Sequence, residues 1–223
     1  MSTPSQPAAS PPSSPDFDAD FRARLHELFV WRRDVRRFRG DPVAPGLIEE
    51  LLANAALAPS VGYSQPWRFV LVETAERRAA VLENFRRSNQ QALSAYAGER
   101  AKLYASLKLA GLVEAPVHLA VFCEESTAVG DGLGRQTMPE TLRYSVVMAV
   151  YTLWLAARAH GLGVGWISIL DAEEARRSLD VPVDWSLVAY LCIGYPEAEH
   201  AEPELARAGW EQRQEPALSI LKR

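Results

Sequence analysis

Two cysteines, four histidines and three methionines are the only soft ligands in 223 residues, and each scarcity removes a class of function. Cys123 and Cys192 stand in apolar, strand-like contexts with no partner spacing. Both read as reduced core thiols of a cytoplasmic protein, not as a disulfide framework. His26, His118, His160 and His200 are scattered without pairing at ligand spacing, so no metal centre is expected. Positive charge is not in excess: 24 Lys and Arg against 28 Asp and Glu leave a net charge of -4. That balance argues against a nucleic-acid partner held by a general positive field. The longest apolar run, Tyr144 to Ala157, falls short of the roughly 20 residues a bilayer span needs, and no membrane is expected.

What remains is a chain that is 48% hydrophobic, ample for a core. Residues 1–17 are dominated by Ser, Pro and Ala and read as a disordered tail, with neither the basic start nor the apolar segment of a signal peptide. Residues 18–223 read as one domain with a C-terminal arm. Phe21, Leu25, Leu28 and Phe29 keep helical spacing behind Asp16, Asp18 and Asp20, which can cap or charge a helix start. A second helix through Leu47, Leu51, Leu52 and Ala55 must stop before Pro59. The span from Ala75 to about Leu109 is helical and polar, with a break at Gly98. Trp67–Val72, Val117–Cys123, Gly163–Leu170 and Trp185–Ile193 read as buried strands. Thr141–His160 is apolar around most of its circumference, which predicts a central helix or one at a subunit interface. Helices alternating with buried strands imply a sheet sandwiched by helices, in an α/β or α+β arrangement.

Against a net acidic background, Arg32-Arg33-Asp34-Val35-Arg36-Arg37 sets one carboxylate among four guanidinium groups. Arginine presents a planar fork of donors that suits a phosphate or an electron-rich heterocycle, so an anion held locally is the expectation. A second stretch, Ala58 to Trp67, joins a helix end to a strand start and offers backbone N–H groups with Ser60, Ser64 and Gln65 beside them. That inventory suits the pyrimidine edge of a flavin. The third, Gly161 to Asp171, has three glycines in five residues before a strand, and glycine lets a backbone approach a flat ligand closely. It is not the dinucleotide fingerprint, because no strand, turn and helix surround it in that order.

Taken in sequence, with Leu107-Lys108-Leu109 and Glu114-Ala115-Pro116 between them, these stretches resemble the nitroreductase-like flavoprotein superfamily. The likeness runs from about Phe29 to Trp210 and is closest to the 5,6-dimethylbenzimidazole synthase branch. Ordinary nitroreductases generally carry Ser where Asp34 stands, and their glycine loop runs toward a Glu-Gly pair absent here. The resemblance implies an α+β fold with a mixed sheet, an intertwined homodimer, and FMN sites built from both chains. It also implies a reaction: reduced FMN, as substrate, meets O2 and is fragmented to 5,6-dimethylbenzimidazole, the lower ligand of vitamin B12, and D-erythrose 4-phosphate. A separate flavin reductase is one source of the reduced FMN. The readings from other classes are an NAD(P)H-dependent nitro- or quinone-reductase that recycles FMN, and a noncatalytic flavin carrier.

On that resemblance Arg32, Arg33, Val35 and Arg36 are expected along the cofactor, with the tasks of the three arginines undivided. Asp34 is the expected acid/base residue, the alternative being an aspartate that only orients arginines. Ser168 either hydrogen-bonds the flavin or is a strand-start hydroxyl satisfied by backbone. Ser60, Gly62, Ser64 and Gln65 are expected at the ring edge, and Gly165 and Leu170 as backbone contacts. Arg213 either reaches the phosphate or is a surface arginine. Arg86 to Tyr104 is expected to form a lid that excludes water, with Asn89 touching the flavin.

Overall fold

The computed structural model describes residues 14–213 and 222–223; most of the expected N-terminal tail lies outside the described residues. Asp18 caps α1 (Ala19–Trp31) by accepting a hydrogen bond from the Phe21 N–H at 2.7 Å. α2 (Leu47–Ala55) follows, then a one-turn helix at Val61–Tyr63 and β1 (Trp67–Leu71). The polar span divides at Gly98 as its sequence predicts, into α3 (Ala75–Leu93) and α4 (Gly98–Ser106). β2 (Val117–Glu124), α5 (Thr141–Ala159), β3 (Gly163–Ile167), α6 (Ala172–Ser178), β4 (Trp185–Gly194) and α7 (Glu204–Arg207) complete the order. α6 and α7 are short and at least half charged, with no apolar stripe to announce them.

The four strands run β1-β2-β4-β3, each pair antiparallel. Among the described residues the one parallel pairing is an isolated bridge between Asp34 and Val164, so the expected mixed sheet is mixed only there. Alternation along the central strands divides the core in two. Leu119, Val121, Cys123, Leu191 and Ile193 face α5 and α2, while Ala120, Phe122, Tyr190 and Cys192 face the α3 side. The helices on both faces explain why strands of an antiparallel sheet read as continuous apolar runs. Cys123 and Cys192 therefore point to opposite faces, which keeps two buried free thiols apart. Burial raises both thiols to about 12, leaving them protonated and inert.

α5 carries two apolar stripes. One, including Leu142, Val146, Val150 and Leu153, is buried in the core. The other, Tyr144, Val147, Met148 and Tyr151, keeps the i, i+3, i+4, i+7 spacing of a single face and is exposed. α1, which packs against α5, buries no residue and leaves Phe21, Phe29, Val30 and Trp31 exposed.

His118, 1% exposed on β2, places Nδ1 2.9 Å from the Tyr190 hydroxyl. Burial first, and then the charge of Arg78, hold its pKa down to about 4. The folded state thus keeps His118 neutral while the unfolded chain titrates near the ordinary ~6.5. The unfolded state takes up the proton first, so stability present above pH ~6.5 is lost as pH falls toward 4, by about 3 kcal/mol in all. Urea midpoints measured across that window should drop in the parent chain and stay flatter in His118→Gln. Equal pH dependence in the two would remove His118 as the cause.

Candidate active site

The arginine run leaves α1 as an extended segment and lies directly across β3. The Val35 N–H donates to the Val164 carbonyl at 3.0 Å. Asp34 closes the same junction from the other side: Oδ1 accepts from the Trp166 N–H at 3.0 Å and Oδ2 from Arg36 Nε at 2.8 Å. Two glycines make this contact possible. A Cβ on Gly163 would come within 2.7 Å of a Val35 methyl, and one on Gly165 would fall on the Val35 carbonyl oxygen, inside van der Waals contact. Within the chain, the backbone these glycines bring close is that of the arginine segment. Val35 sets its N–H on the Val164 carbonyl and its carbonyl and methyls against the two glycines, and it also lines the recess beside the run.

The arginines separate into two tasks that the sequence left undivided. Arg36 is bound internally, through Asp34 and through a bond from its Nη1 to the Lys108 carbonyl at 3.3 Å. Arg32 lies over the Trp154 ring, 5.3 Å from its centroid, and the Trp154 indole N–H donates to the Arg33 carbonyl at 3.2 Å. Arg33 donates to the Ala201 carbonyl. Among the described residues the buried Nε atoms of both Arg32 and Arg33 have no hydrogen-bond partner. Burial, then the charges of Arg32, Arg213 and Arg158, press the Arg33 guanidinium below its ordinary value. Orphaned buried donors inside mutually repelling cations are what an anion would relieve, so this corner fits a phosphate. Arg213 is exposed, yet its charge acts on Arg33, which brings it to the same corner.

The recess beside the run is small, about 110 Å³, and includes Arg33, Asp34, Arg36, Glu197, His200 and Glu204 in its lining. Small-molecule sites commonly occupy roughly 300–1,000 Å³, so this recess has room for a phosphate-sized group and not for a three-ring system. The remaining expected residues lie elsewhere. Ser60–Gln65 precedes Trp67, which pairs with Cys123 and through it with Ser186, whereas Val164 pairs with Ile193. The loop and the run are thus near diagonally opposite corners of the sheet, on the order of 25 Å apart by strand spacing and rise. A single chain does not bring them together.

Within that loop, Ser60 Oγ accepts from the Gln65 N–H at 3.0 Å and Gln65 is exposed. Ser64 is 3% exposed with its hydroxyl unpartnered, which corrects its placement at an open ring edge in one chain. Gly62, at φ 56°, would set a Cβ 2.7 Å from the Leu133 carbonyl oxygen; its freedom serves the approach of the 130–134 loop. β3 ends at Ile167, so Ser168 is exposed just beyond the strand and not at its start. The Leu170 side chain packs into the core on the α3 side, leaving only its backbone for a ligand. Asn89 accepts from the Tyr104 hydroxyl at 2.8 Å, joining α3 to α4 within the expected lid.

Four contributors escaped the sequence reading. Trp154 was absorbed into the apolar count of α5, and Arg158, one turn later on the same face, pairs with Glu199; their i, i+4 spacing was the available signal. Trp166 acts through its peptide N–H, which sequence does not display. Asn84 both donates to the Asp171 carbonyl at 2.9 Å and accepts from its N–H at 2.8 Å, fixing the end of the glycine stretch. No helix among the described residues is long and apolar enough to cross a membrane.

Residues 29–195, from the end of α1 through the arginine run to the end of β4, match the model of the nitroreductase family. A 5,6-dimethylbenzimidazole synthase of Rhodospirillum rubrum is 58% identical over 201 residues, 90% of this chain and 95% of that one. A second, of Rhodobacter capsulatus, is 50% identical over 88% of this chain and 95% of its own length. Among solved structures, an oxidized iodotyrosine deiodinase bound to FMN and 3-iodo-L-tyrosine is 26% identical with a TM-score of 0.67, covering 89% of this chain and 97% of that one. The chain belongs to the nitroreductase family, in which it stands with the 5,6-dimethylbenzimidazole synthases.

Proposed function

We propose that this protein is a 5,6-dimethylbenzimidazole synthase that takes reduced FMN as its substrate and uses O2 to fragment it, releasing D-erythrose 4-phosphate from the ribityl chain and, as a third fragment, the oxidised four-carbon, two-nitrogen remainder of the pyrimidine ring. The carrying observation is the 58% identity to such a synthase across nine-tenths of the chain. The arginine corner supports the flavin part of the reading, because Arg32 and Arg33 present unpartnered donors where a phosphate would sit. Bound and reduced, FMN would supply both the electrons that activate O2 and the carbon skeleton of the product. Arg32 and Arg33, with Arg213, hold the phosphate. Asp34 is the acid/base residue: Oδ1 is tied to Trp166, while Oδ2 keeps one acceptor position beyond its bond to Arg36 for a proton in transit. Ser168, exposed at the strand end, and Asn89, on the lid, contact the ring. The backbone at Gly165 and Leu170 borders it.

A homodimer completes the site. The exposed stripe of α5 and the unburied apolar residues of α1 form a surface that a second copy would cover. Pairing two copies lets Ser60, Gly62 and Gln65 of one chain serve the ring edge beside the arginine run of the other, while Ser64 stays buried beneath the loop. The protein works in the cytoplasm, where its thiols stay reduced, and a separate flavin reductase supplies FMN in reduced form.

The test is a single turnover. Protein mixed anaerobically with chemically reduced FMN and then exposed to air should yield dimethylbenzimidazole and a four-carbon sugar phosphate by mass spectrometry, in equal amounts. Quantitative return of intact oxidised FMN would sink the synthase reading. Pyridine-nucleotide-driven nitro reduction in the same preparation would replace it with the reductase.

A further inference from the structure

Helix α4 is nine residues long and fully buries only Tyr104, too little to hold a short helix in place by itself. Besides the Tyr104 bond to Asn89 on α3, two tethers hold it, and both lead back to the same arginine run. At its C-terminal end the chain continues into Lys108, whose carbonyl accepts from Arg36. Toward its N-terminal end, Arg100 lies over the Trp210 ring at 3.6 Å from the centroid and also donates to the Trp210 carbonyl at 2.8 Å. Tyr96 and Tyr104 wall the same indole, with centroids 5.5 and 5.9 Å away. Trp210 in turn hangs from α7, its N–H donating to the Leu205 carbonyl at 2.9 Å. α7 is bound to the run through Arg37 and Glu204 at 3.2 Å, and the segment just before it through Arg33 and the Ala201 carbonyl.

We propose that Trp210 and Arg100 are positioning residues that latch α4 to the anion corner, so that seating a phosphate there and closing the lid are one coupled event. An anion gathered by Arg32 and Arg33 also draws in Arg213, three residues beyond Trp210. That fixes the stretch carrying the indole, and the indole fixes α4. Neither residue touches the reacting ring in this scheme; both act through the helix that shields it. The inference rests on the flavin reading above, in that FMN is the phosphate ester that fills the corner.

Hydrogen exchange of the α4 amides in the full-length protein tests it, with oxidised FMN, with riboflavin, and with no ligand. Riboflavin carries the same ring without the phosphate. FMN should slow α4 exchange about 10-fold or more, within the usual range of coupling between sites, and saturating riboflavin should slow it far less. In Trp210→Ala and Arg100→Gln, FMN should still bind, as read by quenching of its fluorescence, while the slowing of α4 is lost. Retention of the full effect in both variants overturns the latch, as does equal protection by riboflavin. If riboflavin does not bind, the two variants decide the matter, and Arg100→Gln guards against a misfolded tryptophan variant. Failure of the parent protein to bind FMN would sink latch and flavin reading together. Normal binding and latching with no dimethylbenzimidazole formed would sink the synthase reading alone.

Discussion

Replacing Asp34 by Asn is expected to slow dimethylbenzimidazole formation by about 10²–10⁴-fold, the usual contribution of a positioned acid or base, while oxidised FMN still binds. The geometry makes the substitution informative. Asparagine can keep its oxygen on the Trp166 N–H, but its amide then turns a donor toward the donor Arg36 Nε, so one of the two bonds at 3.0 and 2.8 Å is lost. The alternative role for Asp34 is a bracket that holds Arg36 against Lys108 and so positions the base of α4. The two roles part on what falls together. Loss of a bracket loosens Arg36, weakens FMN affinity and frees α4, so binding and product formation decline in step. Loss of a proton carrier lowers the rate of product formation at unchanged affinity and removes a limb of its pH profile. A variant that turns over within about threefold of the parent would exclude Asp34 from proton transfer, since such a change is under 1 kcal/mol of barrier.

Much of the scaffold was legible in the sequence because its signals are local. Asp18 before Phe21, Gly98 between two polar helices, and Pro59 beyond Ala55 are punctuation that depends on a few neighbours only. The apolar circumference of α5 was legible too: one stripe meets the sheet, while Tyr144, Val147, Met148 and Tyr151 stay exposed on the single chain. Strand direction was not legible, because burial on both faces makes antiparallel strands as uniformly apolar as parallel ones. α6 escaped because its seven residues, Ala172–Ser178, are held by an Asp171 cap and by bonds from Asn84 to Asp171, not by an apolar stripe. Within the candidate site, the residue types were readable and their partners were not. Arg36 and Arg33 look alike in a string of arginines. One is satisfied by Asp34 and a carbonyl 72 residues away, the other is left with an orphaned donor. That difference arises only when β3 is laid under the run.

The junction between β3 and the run makes a second large effect predictable. Gly165→Ala should disable the anion corner without touching any charged residue. The added methyl meets the carbonyl of Val35, a backbone atom that no rotamer change can move aside. The run must lift, which breaks the Val35 to Val164 bond and pulls Asp34 from the Trp166 N–H. Overpacking of this kind costs about 1–3 kcal/mol, survivable for a domain of this size, so the variant should fold. The arginines proposed to hold the phosphate, however, would be displaced by about an ångström or more, a misplacement able to cost on the order of 10²-fold in a positioned reaction. Gly40→Ala is the matched control: it lies just beyond the run with nothing within 4 Å of the methyl it would gain, and its stability should stay within about 0.5 kcal/mol of the parent. Titration of FMN fluorescence and single-turnover product yield on both variants separate the cases. Parent-like affinity and yield in Gly165→Ala would mean that the run does not need its seat on β3, and the arginines would then have to be assigned to something other than holding the flavin phosphate.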